Sequence, residues 1–263
     1  MKIPKPTSSS LTRAFDVLGM FSLASPLIAV EDITVRLGYT RSTAYRYLKE
    51  LCDAGLVAPV SSGNYSLGPR IVELERLVAL TDPLYRAGQM VLPRHRRDSS
   101  ALLLNALYGD RVLCTYKEGP DVLEHAGQRI TIRRARGLPF PLFQGAGSLA
   151  LLPYLSPHRI RQTYLHHSDR IAAAGLGTTW ELFRRSMADV RRNGYATSQN
   201  TITPQVCGVA VPILLPADHR LVGSLARAFP SAAEPVERHA VIAAELRSIS
   251  EQIALEYLKA AQR

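Results

Sequence analysis

Hydrophobic and polar positions separate most sharply along residues 39–51. A helical reading places Ala44, Tyr47, Leu48 and Leu51 at i, i+3, i+4 and i+7, the spacing of a core-facing stripe. Ser42, Tyr45, Arg46 and Lys49 repeat that spacing one step round, with Arg41 at the N-terminal end and no carboxylate before Glu50. Upstream, an apolar-periodic helix is predicted from about Ser10 through Leu11, Phe15, Leu18 and Phe21 to Ala24. A short helix over 31–37 follows and stops at Gly38. Only Tyr39 and Thr40 then precede the two-faced helix, and Thr40 has the hydroxyl of an N-cap. Two short helices joined across a tight glycine turn form a helix-turn-helix. After Gly55, residues 56–60 and 65–68 read as strands around the turn at 61–64, which makes a wing.

Further along, Ile71, Leu74, Leu77 and Val78 form a helical stripe that ends at the breaker Asp82-Pro83. An apolar stripe in that place packs either on its own domain or on a second copy of the chain. Beyond it, residues 100–107 and 112–116 read as a hairpin around Tyr-Gly-Asp-Arg, and 206–214 with 221–228 as a second pair. Helices are expected around 147–155, 178–192 and 235–260, the last with a stripe of Ile242, Leu246, Ile249 and Ile253. The glycine-rich strand-to-helix turn of a dinucleotide fold is missing. The expected class is therefore α+β, and a length of 263 residues with 46% hydrophobic content allows two cores.

Charge changes the picture less than it first suggests. The chain is formally +10, but residues 1–80 hold nine Lys/Arg against seven Asp/Glu, and the remaining 23 and 15 lie downstream. Nucleic-acid binding thus rests on local placement rather than on bulk charge. Arg41 and Arg46 can donate paired hydrogen bonds to guanine, while Ser42, Thr43 and Tyr45 can serve a base edge or a phosphate. With Arg13, Thr40, Lys49 and the wing residues Asn64 and Tyr65, they make up the candidate DNA-binding set.

Several of these segments resemble the IclR family of bacterial transcription regulators. In the N-terminal part they are Ser-Leu-Thr-Arg-Ala-Phe-Asp-Val-Leu at 10–18, Arg-Ser-Thr-Ala-Tyr-Arg-Tyr-Leu at 41–48 and Tyr-Ser-Leu-Gly-Pro-Arg at 65–70. Downstream they are Gly-Ala-Gly-Ser-Leu-Ala-Leu-Leu at 145–152, Asn-Gly-Tyr-Ala at 193–196 and Gly-Val-Ala-Val-Pro-Ile at 208–213. The resemblance implies a winged helix-turn-helix domain over 1–68 with a flexible tail at 1–9, a linker helix at 69–82 and a GAF-like antiparallel sheet sensor domain over 83–263. It also implies a homodimer or tetramer that binds a double-stranded operator, responds to a small-molecule effector and has RNA polymerase as a further partner. The effector cup would be lined by Gly145, Ala146, Ser198, Gly208, Ala226 and Ala228. These positions are nearly all small or apolar, which suggests a roomy cup and an organic-acid effector, aromatic in one reading. Phe143, Ser148 and Gln199-Asn200 depart from residues common in the family.

A second source of effector recognition is the strand predicted at 130–136, where Arg134 and Arg136 share one face and Arg133 takes the other. Solvated surface arginines are the competing reading, as they are for Arg94-His95-Arg96-Arg97. Catalysis has little to draw on. Cys52, Cys114 and Cys207 lack CxxC spacing and read as reduced, packed thiols, with Cys207 an oxidant sensor in the sharper reading. His166 and His167, adjacent on a predicted strand, diverge and give no HExxH-type site, and Ser148 lacks the Gly-x-Ser-x-Gly elbow. Neither an enzyme, a metal nor a cofactor is expected. The N-terminus has no signal-peptide core and no apolar run is long enough to span a membrane, so a cytoplasmic protein is expected. The rival binding module is a winged helix that docks protein or RNA.

Overall fold

The computed structural model describes residues 9–132 and 136–262, except for the side chain of Ser62. Residues 1–8 and the candidate effector contacts Arg133 and Arg134 lie outside the described residues. The chain divides into two compact units, Met1–Thr81 and Asp82–Arg263.

In the first unit, α1 (Ser10–Leu18), α2 (Val30–Leu37) and α3 (Arg41–Asp53) enclose a small core of Val17, Ile33, Ala44, Tyr47, Leu48 and Leu51. Helix α1 stops at Leu18, short of the Ala24 expected from periodicity. Gly19 caps it, and a Ser22–Ser25 turn takes the chain round before Pro26. Strand β1 (Ile28–Ala29), which has too few residues to show a period, pairs with β3 (Asn64–Leu67). On its other side β3 pairs with β2 (Val57–Pro59), giving the wing a three-stranded base. Helix α4 (Pro69–Thr81) carries no buried residue, and Leu74, Leu77 and Val78 are 39%, 52% and 57% exposed.

The second unit opens with α5 (Pro83–Val91), for which Asp82 is the N-cap and Pro83 the first-turn proline. The dipeptide that reads as a breaker therefore ends one helix and starts another. Strands β4 (Ala101–Tyr108) and β5 (Arg111–Glu118) form the expected hairpin. Next come β6 (Val122–His125), β7 (Gln128–Thr131) and β8 (Pro139–Pro141), then β9 (Ala196–Gln199), β10 (Val206–Leu214) and β11 (Leu221–Pro230). Six of them make one antiparallel sheet in the order β8-β5-β4-β11-β10-β9, and β6 pairs with β7 separately.

Side chains alternate across that sheet. Leu102, Leu104, Val209, Val211, Leu225 and Phe229 face a core shared with α5 and α9 (His239–Ala261). Ala101, Leu103, Ala210, Ala226 and Ala228 face the other core, with Phe183, Met187 and the 142–152 segment. That face is covered by α6 (Ala146–Leu149), α7 (Pro157–Ala173) and α8 (Trp180–Asn193).

Three expectations need correction. The helix expected at 147–155 is only α6 plus a single 3-10 turn at Leu152–Tyr154, where Pro153 cannot extend α-helical hydrogen bonding. His166 and His167 lie on α7 rather than on a strand, and the helix kinks at His167 (φ −139°, ψ 23°). Of the strand expected at 130–136, Ile130 and Thr131 belong to β7, Ile132 lies outside it, residues 133–135 are outside the described residues, and Arg136 sits in a turn.

Candidate functional site

Two candidate sites emerge, one in each unit. The first is α3 with its surroundings. Gly38 ends α2 in the left-handed region (φ 71°), which glycine adopts without steric cost. Thr40 then caps α3, its hydroxyl accepting the Thr43 N–H at 3.3 Å and donating to Thr43 Oγ1 at 2.8 Å. Tyr39 closes the turn by donating its hydroxyl to the Asp16 carboxylate at 3.0 Å; burial, reinforced by that carboxylate, raises the phenol above its ordinary pKa. Ala44, Tyr47, Leu48 and Leu51 are buried, so Arg41, Ser42, Tyr45, Arg46 and Lys49 are left on the exposed side.

The exposed stripe is less free than its spacing suggests. The Arg41 guanidinium pairs with Glu31 of α2 at 2.7 Å. Arg46 folds back over the Tyr47 ring, 4.9 Å from its centroid, and donates to the Tyr47 hydroxyl at 3.0 Å. Hydrogen bonding from Ser10 first, and then from Arg46, holds that phenol below its usual pKa against the opposing effect of burial. Thr43 is half-buried beneath Thr40. Arg13 lies on α1, 6.0 Å from the Tyr39 ring centroid. Asn64 and Tyr65 occupy the start of β3, paired across to Ala29 and Ile28, and Tyr65 packs against the unit's core. Glu31 is the contact that helix periodicity missed, because it comes from a different element.

The second candidate site is a cavity on the alanine-rich face of the sheet. Gly145, Ala146, Ser198, Gly208, Ala226 and Ala228 all line it, together with Leu103, Ile132, Thr201 and Thr203. Gly208 pairs with Ser198 on one side and Ala228 on the other. A Cβ on Gly208 would come within 3.1 Å of Ser198 Oγ and 3.3 Å of Ala146 Cβ, so glycine lets the loop seat on the sheet. The Ala146 N–H donates to Ser198 Oγ at 2.9 Å, and the Ser224 hydroxyl donates to the Gly147 carbonyl at 2.7 Å; both pin the Gly-Ala-Gly loop.

The cavity is not roomy, contrary to the small lining residues. Its volume is about 40 Å³, space for a water molecule or little more. The segment 200–205 accounts for this, bringing Thr201, Ile202 and Thr203 into the lining. Asn200 and Gln205, both at positive φ (57° and 63°), bracket it, and the Asn200 side chain accepts the Gln205 N–H at 2.8 Å. Gln144 ties the segment from outside by donating to the Thr201 carbonyl at 3.2 Å. The only sequence signal for these residues is a polar run without periodicity. Beyond Thr201 lies a second cavity of about 590 Å³ that includes Phe143, Gln144 and Arg170.

Other candidate residues lie elsewhere. Arg136 does not line the cup; its guanidinium donates to the Thr115 carbonyl at 2.9 Å and lies 4.8 Å from the Tyr85 ring centroid. Ser148 is fully buried in α6. Among the described residues no disulfide joins the cysteines, and no cluster of His, Cys, Asp or Glu could hold a metal. Cys207 is buried beside His239 (Sγ to Nε2 3.6 Å), and burial raises its thiol pKa. Burial, with Arg170 next, lowers the pKa of His167, whose ring lies 5.1 Å from that of Phe143. No described helix is long and apolar enough to cross a membrane.

Comparison with known proteins places this geometry. The IclR helix-turn-helix domain is matched at residues 10–61. The HTH-type transcriptional regulator Rv1719 of Mycobacterium tuberculosis is 28% identical over 204 residues, 76% of this chain and 74% of its own length. KipR of Bacillus subtilis, another HTH-type transcriptional regulator, is 22% identical over 78% of this chain and 80% of its own. Among solved structures, an IclR transcriptional regulator from Alicyclobacillus acidocaldarius superposes with a TM-score of 0.75 at 23% identity, covering 94% of this chain and 98% of its own. An IclR homologue from Microbacterium hydrocarbonoxydans in complex with 4-hydroxybenzoate gives 0.68 at 22% identity, covering 95% and 100%. Residues 10–61 thus match the IclR helix-turn-helix domain, and the chain is similar over most of its length to HTH-type transcriptional regulators and, in fold, to IclR regulators of known structure.

Proposed function

We propose that this regulator is a cytoplasmic one-component switch in which a dimer binds a partly palindromic operator through α3 and an organic acid acts through the cup. The observation that carries the reading is the division of α3. Its inner stripe is buried, and its outer stripe offers Arg41, Ser42, Tyr45, Arg46 and Lys49 to solvent beside a wing that contains Asn64 and Tyr65. Arg46 and Arg41 would exchange their partners Tyr47 and Glu31 for guanine edges, Thr40 and Thr43 would meet phosphate, and Arg13 would flank the groove. Residues 1–68 would thus be the DNA-binding module and 83–263 the sensor. Dimerisation is supported by α4, within the linker 69–82, whose exposed Leu74, Leu77 and Val78 would be covered by a second copy. Two copies would then read half-sites about one helical turn apart.

An aromatic acid suits the cup's chemistry. Ala226, Ala228 and Gly208 offer a flat floor for a ring edge, while Ser198, Thr201 and Thr203 supply hydroxyls for a carboxylate or phenol. The Microbacterium homologue's 4-hydroxybenzoate is consistent with this choice. At about 40 Å³ the closed cup cannot hold a benzoate, so binding would require segment 200–205 to move outward and open the space toward Arg170. A ligand that prefers the open arrangement would shift the chain toward it by its differential affinity.

The decisive experiment is binding of the purified protein to the intergenic DNA beside its own gene, at near-physiological salt with random competitor duplex, with and without 4-hydroxybenzoate. A sequence-specific complex whose affinity changes with the acid is expected. Binding to genomic fragments that never exceeds binding to random duplex, with or without aromatic acids, would overturn the reading in favour of a docking module.

A further inference from the structure

The face of the six-stranded sheet opposite the cup carries a second polar construction. Arg227 lies on β11 between two cup residues, Ala226 and Ala228, so strand alternation sends its side chain to the α9 side. There it is almost wholly buried, and its Nη1 donates to Glu245 of α9 at 2.7 Å. The Arg227 Nε is also buried and has no hydrogen-bond partner among the described residues. Buried guanidinium nitrogens are ordinarily satisfied, so an orphan of this kind calls for an acceptor from outside the chain, a water, an ion or a ligand.

The same Glu245 carboxylate serves a second guanidinium, that of Arg97 at 3.1 Å. One carboxylate is therefore shared between two arginines, and a positive charge is left over. Hydrogen bonding from Arg227 chiefly, with Arg97 adding, holds the Glu245 carboxyl below its usual pKa. Around this pair opens a cavity of about 420 Å³ lined by Arg94, His95, Arg96, Arg97, Arg227 and Glu245, with two α9 residues completing it. Arg96 is offset by Asp98 and Glu118, at 3.7 and 3.5 Å. Arg94 adds to the surplus. Arginine's planar fork suits the paired oxygens of carboxylates and phosphates.

We propose that this cavity is a second ligand site, separate from the cup, that takes a small oxyanion of carboxylate or phosphate type carrying more than one negative charge. The anion sits between Arg94 and Arg97, competes with Glu245 for Arg97 and offers an acceptor to Arg227. Because Arg227 shares its strand with Ala226 and Ala228, occupancy of one face bears directly on the backbone that floors the other. Coupling between the two sites is then reciprocal.

The test is isothermal titration of the full-length chain, without DNA, using inorganic phosphate and citrate in turn at constant ionic strength. Saturable binding of one equivalent per chain is expected, and the tighter of the two probes identifies the phosphate or the carboxylate class. Arg94→Gln and Arg97→Gln, both at exposed positions, should each weaken it about tenfold. Glu245→Gln removes the internal competitor and should strengthen it. Arg185→Gln, on the exposed side of α8, should change nothing. Absence of saturable binding, an equal loss with Arg185→Gln, or weaker binding with Glu245→Gln would each overturn the proposal. Where no anion binds, a separate DNA-binding measurement in which Arg94→Gln and Arg97→Gln lose affinity would make the patch a phosphate-backbone contact instead. Neither operator nor effector enters the titration, so its outcome is independent of the regulator reading.

Discussion

Helix α3 and the cup are built from opposite materials. Helix α3 presents long, charged and hydroxyl side chains that extend into solvent from a rigid buried stripe. The cup is built mainly where side chains are short: Gly145, Ala146, Gly208, Ala226 and Ala228 bring backbone close to whatever binds, and the pocket's size is set by strand and loop spacing. A surface that reads a polyanion needs reach and donors. A pocket that selects a small molecule needs a shaped space with few polar groups. Shortening a side chain should therefore damage the first site and lengthening one should damage the second.

Ala226→Leu makes the largest break. The added carbons enter a cavity of about 40 Å³, so effector response should be lost, at a cost of about 1–3 kcal/mol in stability from overpacking. DNA affinity without effector should stay within a factor of about two. Effector-dependent shifts in a DNA-binding assay check this, and a retained response would show that the effector acts elsewhere than in the cup.

Arg46→Ala comes next, with a loss of about 1–3 kcal/mol on the specific duplex if the guanidinium reads a base. Measured against random duplex, an equal loss would reassign Arg46 to phosphate. Removing the cap with Thr40→Ala should cost about 0.5–2 kcal/mol of stability in the first unit, seen as an earlier thermal transition. Thr40→Ser, which keeps the hydroxyl, should recover most of it.

The smallest effect runs the other way. Glu31→Gln frees Arg41 from an exposed ion pair and removes a negative charge close to the recognition stripe. Exposed pairs contribute little to stability, about 0–1 kcal/mol, so melting should barely change while DNA affinity rises severalfold at low salt. If affinity stays flat, Arg41 lies outside the contact surface.

These sites also differ in how far their residues can be read ahead of folding. Helix α3, its cap at Thr40 and its buried stripe follow from local rules, since a 3.6-residue period and a hydroxyl three residues before an N–H act within one segment. The two sheet hairpins are legible for the same reason, through alternation and turn residues. Helix α7 stands where the sequence reading puts His166 and His167 on a strand; its apolar pattern is weak, and packing of Tyr164 against Phe183 and Trp180 holds it. Gly145, Ala146, Ser198, Gly208, Ala226 and Ala228 came from family resemblance, and Leu103, Ile132, Thr201 and Thr203 from the fold alone, because no local period joins residues so far apart in the chain.

Chain order and patterning were enough to specify a helix-turn-helix with a wing, two hairpins and a long C-terminal helix, because each rests on interactions between residues close in sequence. Folding in three dimensions settled the rest. It brought Glu31 to Arg41, laid Arg46 over Tyr47, and let segment 200–205 fill a cup that looks open from its residue types alone. It also buried Arg227 beneath α9 with one carboxylate shared between two guanidiniums. Charge pairing and cavity volume depend on distances between elements remote in sequence, and those distances are fixed only when the cores pack.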